Sequence, residues 1–210
     1  MDIKSFEKLP IMGILRDIEK SSLAPLLDAI IQSGMKTIEI TMNTQGAPEL
    51  IKKTKQIAGN QLAIGAGTVL TQDDLNQALD NGASFMVMPN FIPELVTYCK
   101  NRSIPVFPGA LTPSEVYQAY QGGATMVKIF PSGLFGPNYF KELKGPFKNI
   151  KLMATGGVRE NNVIDFFTCG VNAVAVGGSV FQKNQINDNN FKIIQSSLTS
   201  LVKAVQKAIS

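Results

Sequence analysis

The chain has 210 residues, 44% hydrophobic and 17% charged, which suits one globular domain with a sizeable core. It contains no histidine, and this excludes a Ser-His-Asp triad, a histidine-ligated zinc and a histidine general base together. The net charge of +4 comes from scattered basic residues; the tightest cluster, Lys52, Lys53 and Lys55, lies in a helical pattern and reads as a solvated face, so no nucleic-acid partner is expected.

The leading residues 2–8 suggest a short helix. The first apolar strand follows at 10–15, and Ser21 or Ser22 can cap a helix running to about Gln32. Further strands are expected at 37–42 and 62–68. Thr71, with Asp74 three residues on, opens the next helix as a capping box. Strands at 85–89 and 104–109 come next, then Thr112-Pro113-Ser114-Glu115, which repeats the capping pattern with Pro at the first helical position. The last strands are expected at 126–131, 151–155 and 173–177, with a helix opening at Arg159-Glu160-Asn161-Asn162. Gln182 to Asn190 is polar and Asn-rich and reads as a loop. From Phe191 to Ile209 apolar residues fall on one helical stripe. Gly34, Gly82, Gly123 and Gly170 each stand between a helical pattern and a strand, where a left-handed residue ends a helix.

Eight strand–helix units in one domain predict a single-domain α/β (β/α)8 TIM barrel over residues 1–210. A doubly wound sheet is the alternative, but no Gly-x-Gly-x-x-Gly follows the first strand. No 18-residue apolar run and no signal peptide is visible, so no membrane partner is expected. Cys99 and Cys169 sit far apart in apolar settings and read as buried thiols of a cytoplasmic protein.

In a barrel, chemistry collects at the C-terminal strand ends. Glu39 and Lys128 are the only charged residues inside the apolar strand cores. Burying an ammonium costs several kcal/mol unless it is paired or loses its proton, and a neutral amine can attack a carbonyl. A snorkelling lysine and a structural Glu–Lys ion pair remain as alternatives. Thr155-Gly156-Gly157 and Gly177-Gly178-Ser179 end the last two strands, the usual phosphate site of such barrels. Arg16 and Thr68, on other strand ends, could hold a carboxylate.

These residues carry a resemblance. Ile38-Glu39-Ile40-Thr41, Gly65-Ala66-Gly67-Thr68-Val69-Leu70, Val127-Lys128-Ile129-Phe130-Pro131, Gly145-Pro146-Phe147, Ala154-Thr155-Gly156-Gly157-Val158 and Gly177-Gly178-Ser179 are similar, in order, to the 2-keto-3-deoxy-6-phosphogluconate (KDPG)/4-hydroxy-2-oxoglutarate aldolases. The resemblance implies a class I carbon–carbon lyase, usually a homotrimer, that uses neither metal nor cofactor. Its substrate is a small phosphorylated keto acid, with 4-hydroxy-2-oxoglutarate as a further one. Lys128 matches the Schiff-base lysine, and Glu39 the residue that moves protons through a bound water. Thr68 matches the threonine near the pyruvate carboxylate, Pro89 and Phe130 pack the pyruvyl group, and Gly156, Gly157, Gly178 and Ser179 fall at the phosphate. Where part of the family has a carboxylate-binding Arg, this chain has Asn43, so Arg16 takes that role. Asn43 points to the galactonate epimer series and Thr155 to the gluconate series. A phosphosugar isomerase or synthase, or a non-catalytic phosphosugar-binding barrel, are the rival readings.

Overall fold

The computed structural model describes all 210 residues. Nine strand segments run in parallel: β1 (Ile11–Leu15), β2 (Thr37–Thr41), β3 (Ala63–Gly67), β4 (Met86–Val87), β5 (Val106–Phe107), β6 (Gly109–Ala110), β7 (Val127–Ile129), β8 (Leu152–Thr155) and β9 (Ala173–Val176). Their order is β5-β4-β3-β2-β1-β9-β8-β7-β6. The two ends of this sheet are halves of the expected fifth strand, so it rolls into a TIM-like barrel. The strand breaks at Pro108, which has no N–H to give a ladder. Its halves face different neighbours: Met88 N–H donates to Phe107 O, while Lys128 N–H donates to Pro108 O at 2.9 Å.

The joins follow local chemistry. Gly34, Gly82, Gly123 and Gly170 have φ of 88°, 97°, 106° and 91°, the left-handed conformation that ends a helix and that a side chain would strain. The capping boxes form at Thr71–Asp74 and Thr112–Glu115, opening α4 (Gln72–Asp80) and α6 (Pro113–Gly122). Ser22 precedes α2 (Leu23–Gln32) but its hydroxyl caps nothing, because the residue is already helical in φ and ψ. The remaining helices are α1 (Ile3–Lys8), α3 (Ala47–Ala58), α5 (Pro93–Asn101), α7 (Pro137–Lys144), α8 (Val163–Thr168), α9 (Lys183–Asn187) and α10 (Phe191–Ile209), with a 3-10 turn at Ser132–Leu134.

Three expectations are corrected. The helix expected to open at Arg159 begins at Val163, because residues 159–162 form a turn closed by Asn162 Oδ1 accepting from Arg159 N–H. Gln182 to Asn190 is not all loop: Lys183–Asn187 makes one helical turn anchored by buried Ile186. Cys99 is buried but Cys169 is only half-buried; both are free thiols.

Strand alternation divides the core. Ile38, Ile40, Val127, Ile129, Leu152, Ala154, Val174 and Val176 pack outward against the helices. Met12, Phe85, Val87, Phe107, Met126, Met153, Ala173 and Ala175 fill the barrel interior, and Phe6 of α1 plugs its N-terminal mouth. Phe107 meets Phe6 and Phe85 edge-on, each at 5.9 Å between centroids. Gly65 makes room for Phe85, whose ring would stand 2.3 Å from a Cβ there. No helix is long and apolar enough to cross a membrane.

Candidate active site

The same alternation aims two charges into the barrel. Glu39 lies between outward-facing Ile38 and Ile40, so it points inward; Lys128 shares the inward face of Met126. β2 and β7 stand on opposite sides of the ring, with three strands between them either way when β5 and β6 are taken as one broken strand. Their side chains therefore approach from across the C-terminal mouth. Glu39 is 1% exposed and Lys128 6%.

The structural ion pair is not made. The two ion pairs of the protein, Lys20–Glu49 and Lys151–Glu7, are both on the surface. Burial pushes the Glu39 carboxyl above its ordinary range, opposed by Lys128 and then Arg16. Burial likewise holds the Lys128 ammonium below the ordinary lysine range; Glu39 opposes the shift and Arg16 adds to it. Desolvation outweighs attraction on both sides, which favours the neutral forms. Glu39 Oε2 has no hydrogen-bond partner in the protein. Lys128 Nζ sits 5.3 Å from the Phe130 ring centroid.

Both groups line one cavity of about 720 Å3 at the C-terminal ends of the strands. Every residue singled out in the sequence reaches it: Arg16, Thr68, Pro89, Phe130, Thr155, Gly156, Gly157, Gly178 and Ser179 join Glu39 and Lys128 in its wall. Asn43 does not; it is exposed outside the cavity. Asp17 and Thr68 hold left-handed backbones, with φ of 53° and 52°, on the rim. Such strain in non-glycine residues concentrates at functional sites. Thr155 is buried with an unpartnered Oγ1. A second cavity, of about 500 Å3, adjoins at Asp17 and Lys183 and is reached by neither Glu39 nor Lys128.

The glycines serve close approach. A Cβ on Gly67 would meet Glu39 Oε1 at 2.4 Å, so Gly67 leaves the volume that the carboxyl occupies. Gly157, at φ 83°, packs so that a Cβ would stand 2.6 Å from Gly133 Cα. A Cβ on Gly178 would meet nothing within 4 Å, so its backbone faces open cavity. Ser179 makes no cap: Gln182 precedes α9, directly after the tight turn in which Phe181 N–H donates to Gly177 O.

Sequence reasoning passed over Ser132, Arg159 and Lys183. Ser132 Oγ donates to Ile129 O at 2.7 Å and accepts from Thr155 N–H at 2.9 Å, tying the end of β7 to the end of β8. Its place just after the Val127-Lys128-Ile129-Phe130-Pro131 run was the available signal. Arg159 and Lys183 line the cavity beyond the two glycine turns; a cation two residues after Gly-Gly was the signal for Arg159. The arrangement offers an amine and a carboxyl whose charged forms burial disfavours, with an anion-friendly backbone cradle in the same cavity.

Comparison with known proteins agrees in length and shape. The family model described as KDPG and KHG aldolase matches residues 3–197. The 2-dehydro-3-deoxy-6-phosphogalactonate aldolase of Escherichia coli is 30% identical, covering 96% of this chain and 97% of that protein. The 2-dehydro-3-deoxy-phosphogluconate aldolase of Haemophilus influenzae is also 30% identical, covering 97% and 96%. The Legionella pneumophila KDPG aldolase, with pyruvate captured at low pH as a covalent carbinolamine intermediate, superposes with a TM-score of 0.86 at 25% identity, over 93% of this chain and 95% of that one.

Proposed function

The chain belongs to the KDPG and KHG aldolase family and is a Schiff-base aldolase, a carbon–carbon lyase; within that activity we propose that it cleaves 2-dehydro-3-deoxy-6-phosphogluconate to pyruvate and glyceraldehyde 3-phosphate, with Lys128 as nucleophile and Glu39 as proton carrier. One observation carries the residue assignment: the only two charged side chains borne by strand interiors are buried, unpaired and in the wall of one cavity.

Neutral Lys128 Nζ attacks the C2 ketone, giving a carbinolamine. Glu39 gives its proton to the departing hydroxyl, so loss of water leaves a Glu39 carboxylate and a protonated imine, an electron sink next to the C3–C4 bond. Glu39 takes the C4 hydroxyl proton, directly or through water; C4 becomes an aldehyde as the C3–C4 electron pair moves into the imine. Glyceraldehyde 3-phosphate leaves. The enamine takes a proton at C3 from Glu39, and hydrolysis returns Lys128 and pyruvate. Arg16, exposed at the cavity rim, takes the substrate carboxylate with Thr68. Pro89 and Phe130 pack the pyruvyl group. Gly156, Gly157, Gly178 and Ser179 receive the phosphate through backbone N–H groups and a hydroxyl. The same imine chemistry extends to 4-hydroxy-2-oxoglutarate, which yields pyruvate and glyoxylate.

A second reading, the galactonate epimer, is favoured by Asn43, which stands outside the cavity and leaves the carboxylate to Arg16. Thr155 supports the gluconate series, because its buried, unpartnered hydroxyl suits a polar substituent near C4. Sodium borohydride with pyruvate tests the chemistry: one reduced pyruvyl adduct is expected on Lys128 by peptide mass, and an adduct elsewhere, or none, rejects the assignment. Comparing kcat/KM for the two epimers decides the series. The chain acts as a homotrimer in the cytoplasm, a reading supported by the family resemblance and by Leu134 and Phe135, 72% and 54% exposed after β7. Light scattering at about three chain masses tests the trimer.

A further inference from the structure

Two cations of the cavity have no part in the scheme above. Arg159 follows the Gly156-Gly157 turn after β8, and Lys183 opens α9 beyond the Gly177-Gly178-Ser179 turn after β9. β8 and β9 are neighbours in the sheet, so the two loops flank one another at the mouth. Both residues are exposed, and neither makes an ion pair or a side-chain hydrogen bond in the protein. The Arg159 backbone is nevertheless fixed: its N–H donates to Asn162 Oδ1 at 2.8 Å, and Asn162 Nδ2 donates to Gly157 O at 3.0 Å. The stem of the arginine is therefore anchored to the glycine turn, while its guanidinium is free.

Charge sets the ligand class. Beyond buried Lys128 and Glu39, the wall carries Arg16, Arg159 and Lys183 against the single acid Asp17. Arg16 stands after β1, between β2 and β9 in the sheet; Arg159 and Lys183 follow the glycine turns after β8 and β9. Three cations against one acid suit a substrate that is anionic at both ends, and the two that follow the glycine turns stand beside the backbone cradle. The backbone cradle alone cannot make that distinction, since N–H groups bind any small anion. Two unpaired cations beside the cradle add attraction that grows with the charge of the tail.

We propose that Arg159 and Lys183 are specificity-determining residues that close over the distal phosphate and select a dianionic acceptor over a neutral or monoanionic one. This rests on the aldolase reading and deepens it. The experiment is the reverse aldol addition of pyruvate to glyceraldehyde 3-phosphate, to unphosphorylated glyceraldehyde and to glyoxylate, with the full-length chain and Arg159→Gln, Lys183→Gln and the double variant. Each single variant should lose about tenfold in kcat/KM for the phosphorylated acceptor, the equivalent of one charge-assisted hydrogen bond, mostly as a higher KM. The double variant should lose about thirtyfold or more there, stay within about twofold of wild type on glyceraldehyde and glyoxylate, and flatten the fall of wild-type kcat/KM with added salt. Equal losses on all three acceptors, or no loss on any, overturn the proposal. A readout free of catalysis separates it from the aldolase reading: inorganic phosphate should raise the melting temperature of wild type and not of the double variant. If phosphate stabilises both alike, the two cations do not select it. If phosphate discriminates between them while no borohydride adduct forms on Lys128, the clamp stands and the aldolase reading falls.

Discussion

Gly67→Ala tests whether the exact seat of the Glu39 carboxyl matters to turnover. Gly67 ends β3 with an ordinary negative φ, so its backbone accepts alanine, and the loss of unfolded-state freedom favours the variant by about 0.4–1 kcal/mol. The added methyl would lie 2.4 Å from Glu39 Oε1 and 2.7 Å from its Cδ, where ordinary contact begins at 3.4 Å. The carboxyl must therefore retreat by about 1 Å inside a packed interior, at an overpacking cost of about 1–3 kcal/mol. Net stability should fall by about 1–2 kcal/mol, well short of unfolding. A 1 Å misplacement of a reacting group costs about 100-fold in rate, or about 2.7 kcal/mol of barrier. Pyruvate release coupled to lactate dehydrogenase should show that drop in kcat, while borohydride still traps pyruvate on Lys128, which the methyl does not approach. Urea unfolding checks that the variant is folded. A folded Gly67→Ala protein with wild-type kcat would refute the idea that Glu39 transfers the proton from the place the barrel holds it.

Glu39→Gln should lower turnover yet stabilise the fold at neutral pH. The folded pKa of Glu39 is raised by burial, so its stabilising effect is full below the unfolded value of 4.5 and is lost as pH rises through the raised folded value. The variant lacks that loss; urea titrations should show its advantage at pH 7 shrinking toward zero below pH 4.5, and a constant difference would contradict the burial argument. Asn172→Ala should cost about 1–3 kcal/mol, because Asn172 Oδ1 accepts from Leu152 N–H and from Lys144 Nζ, both at 3.0 Å, and the donors would be left without it; chemical denaturation reads this directly. Thr155→Val keeps the shape and removes the unpartnered hydroxyl, so it should lower the kcat/KM ratio of gluconate over galactonate epimer by about tenfold with little change in melting temperature.

What could be read from the chain was what depends on near neighbours. The Thr71 and Thr112 capping boxes, the α10 stripe and the four left-handed glycines each need only a few adjacent residues, and each is present. Glu39 and Lys128 were legible because a charge inside an apolar strand is conspicuous wherever the strand ends up. Features set by partners distant in sequence were not. Pro108 gave no sign that its two sides would pair with β4 and β7 separately. Ser132 matters only because β8 lies beside it, and Gly67 only because Glu39 turns toward it. Lys183 lies within a polar stretch whose single buried anchor, Ile186, is too weak a signal for a helix.

The barrel is not uniform along its axis, and that gradient accounts for how a costly site persists. At the N-terminal end Phe6, Phe85 and Phe107 fill the interior edge to face, and the Met1 amine is tied to Ser84 O at 3.1 Å. Met12, Met126, Met153, Ala173 and Ala175 complete that fill, and Ala175 reaches the cavity wall. At the C-terminal end the inward residues are Glu39, Lys128 and Thr155, of which Glu39 and Thr155 leave a buried oxygen without a partner. Left-handed Asp17 and Thr68 add strain at about 1–3 kcal/mol each on the same rim. Packing at the closed end offsets unsatisfied polarity at the open end. Substitutions that make the open end more apolar should therefore raise stability as they remove chemistry, whereas truncations at Phe6 or Phe107 should lower stability and leave the imine-forming amine where it is.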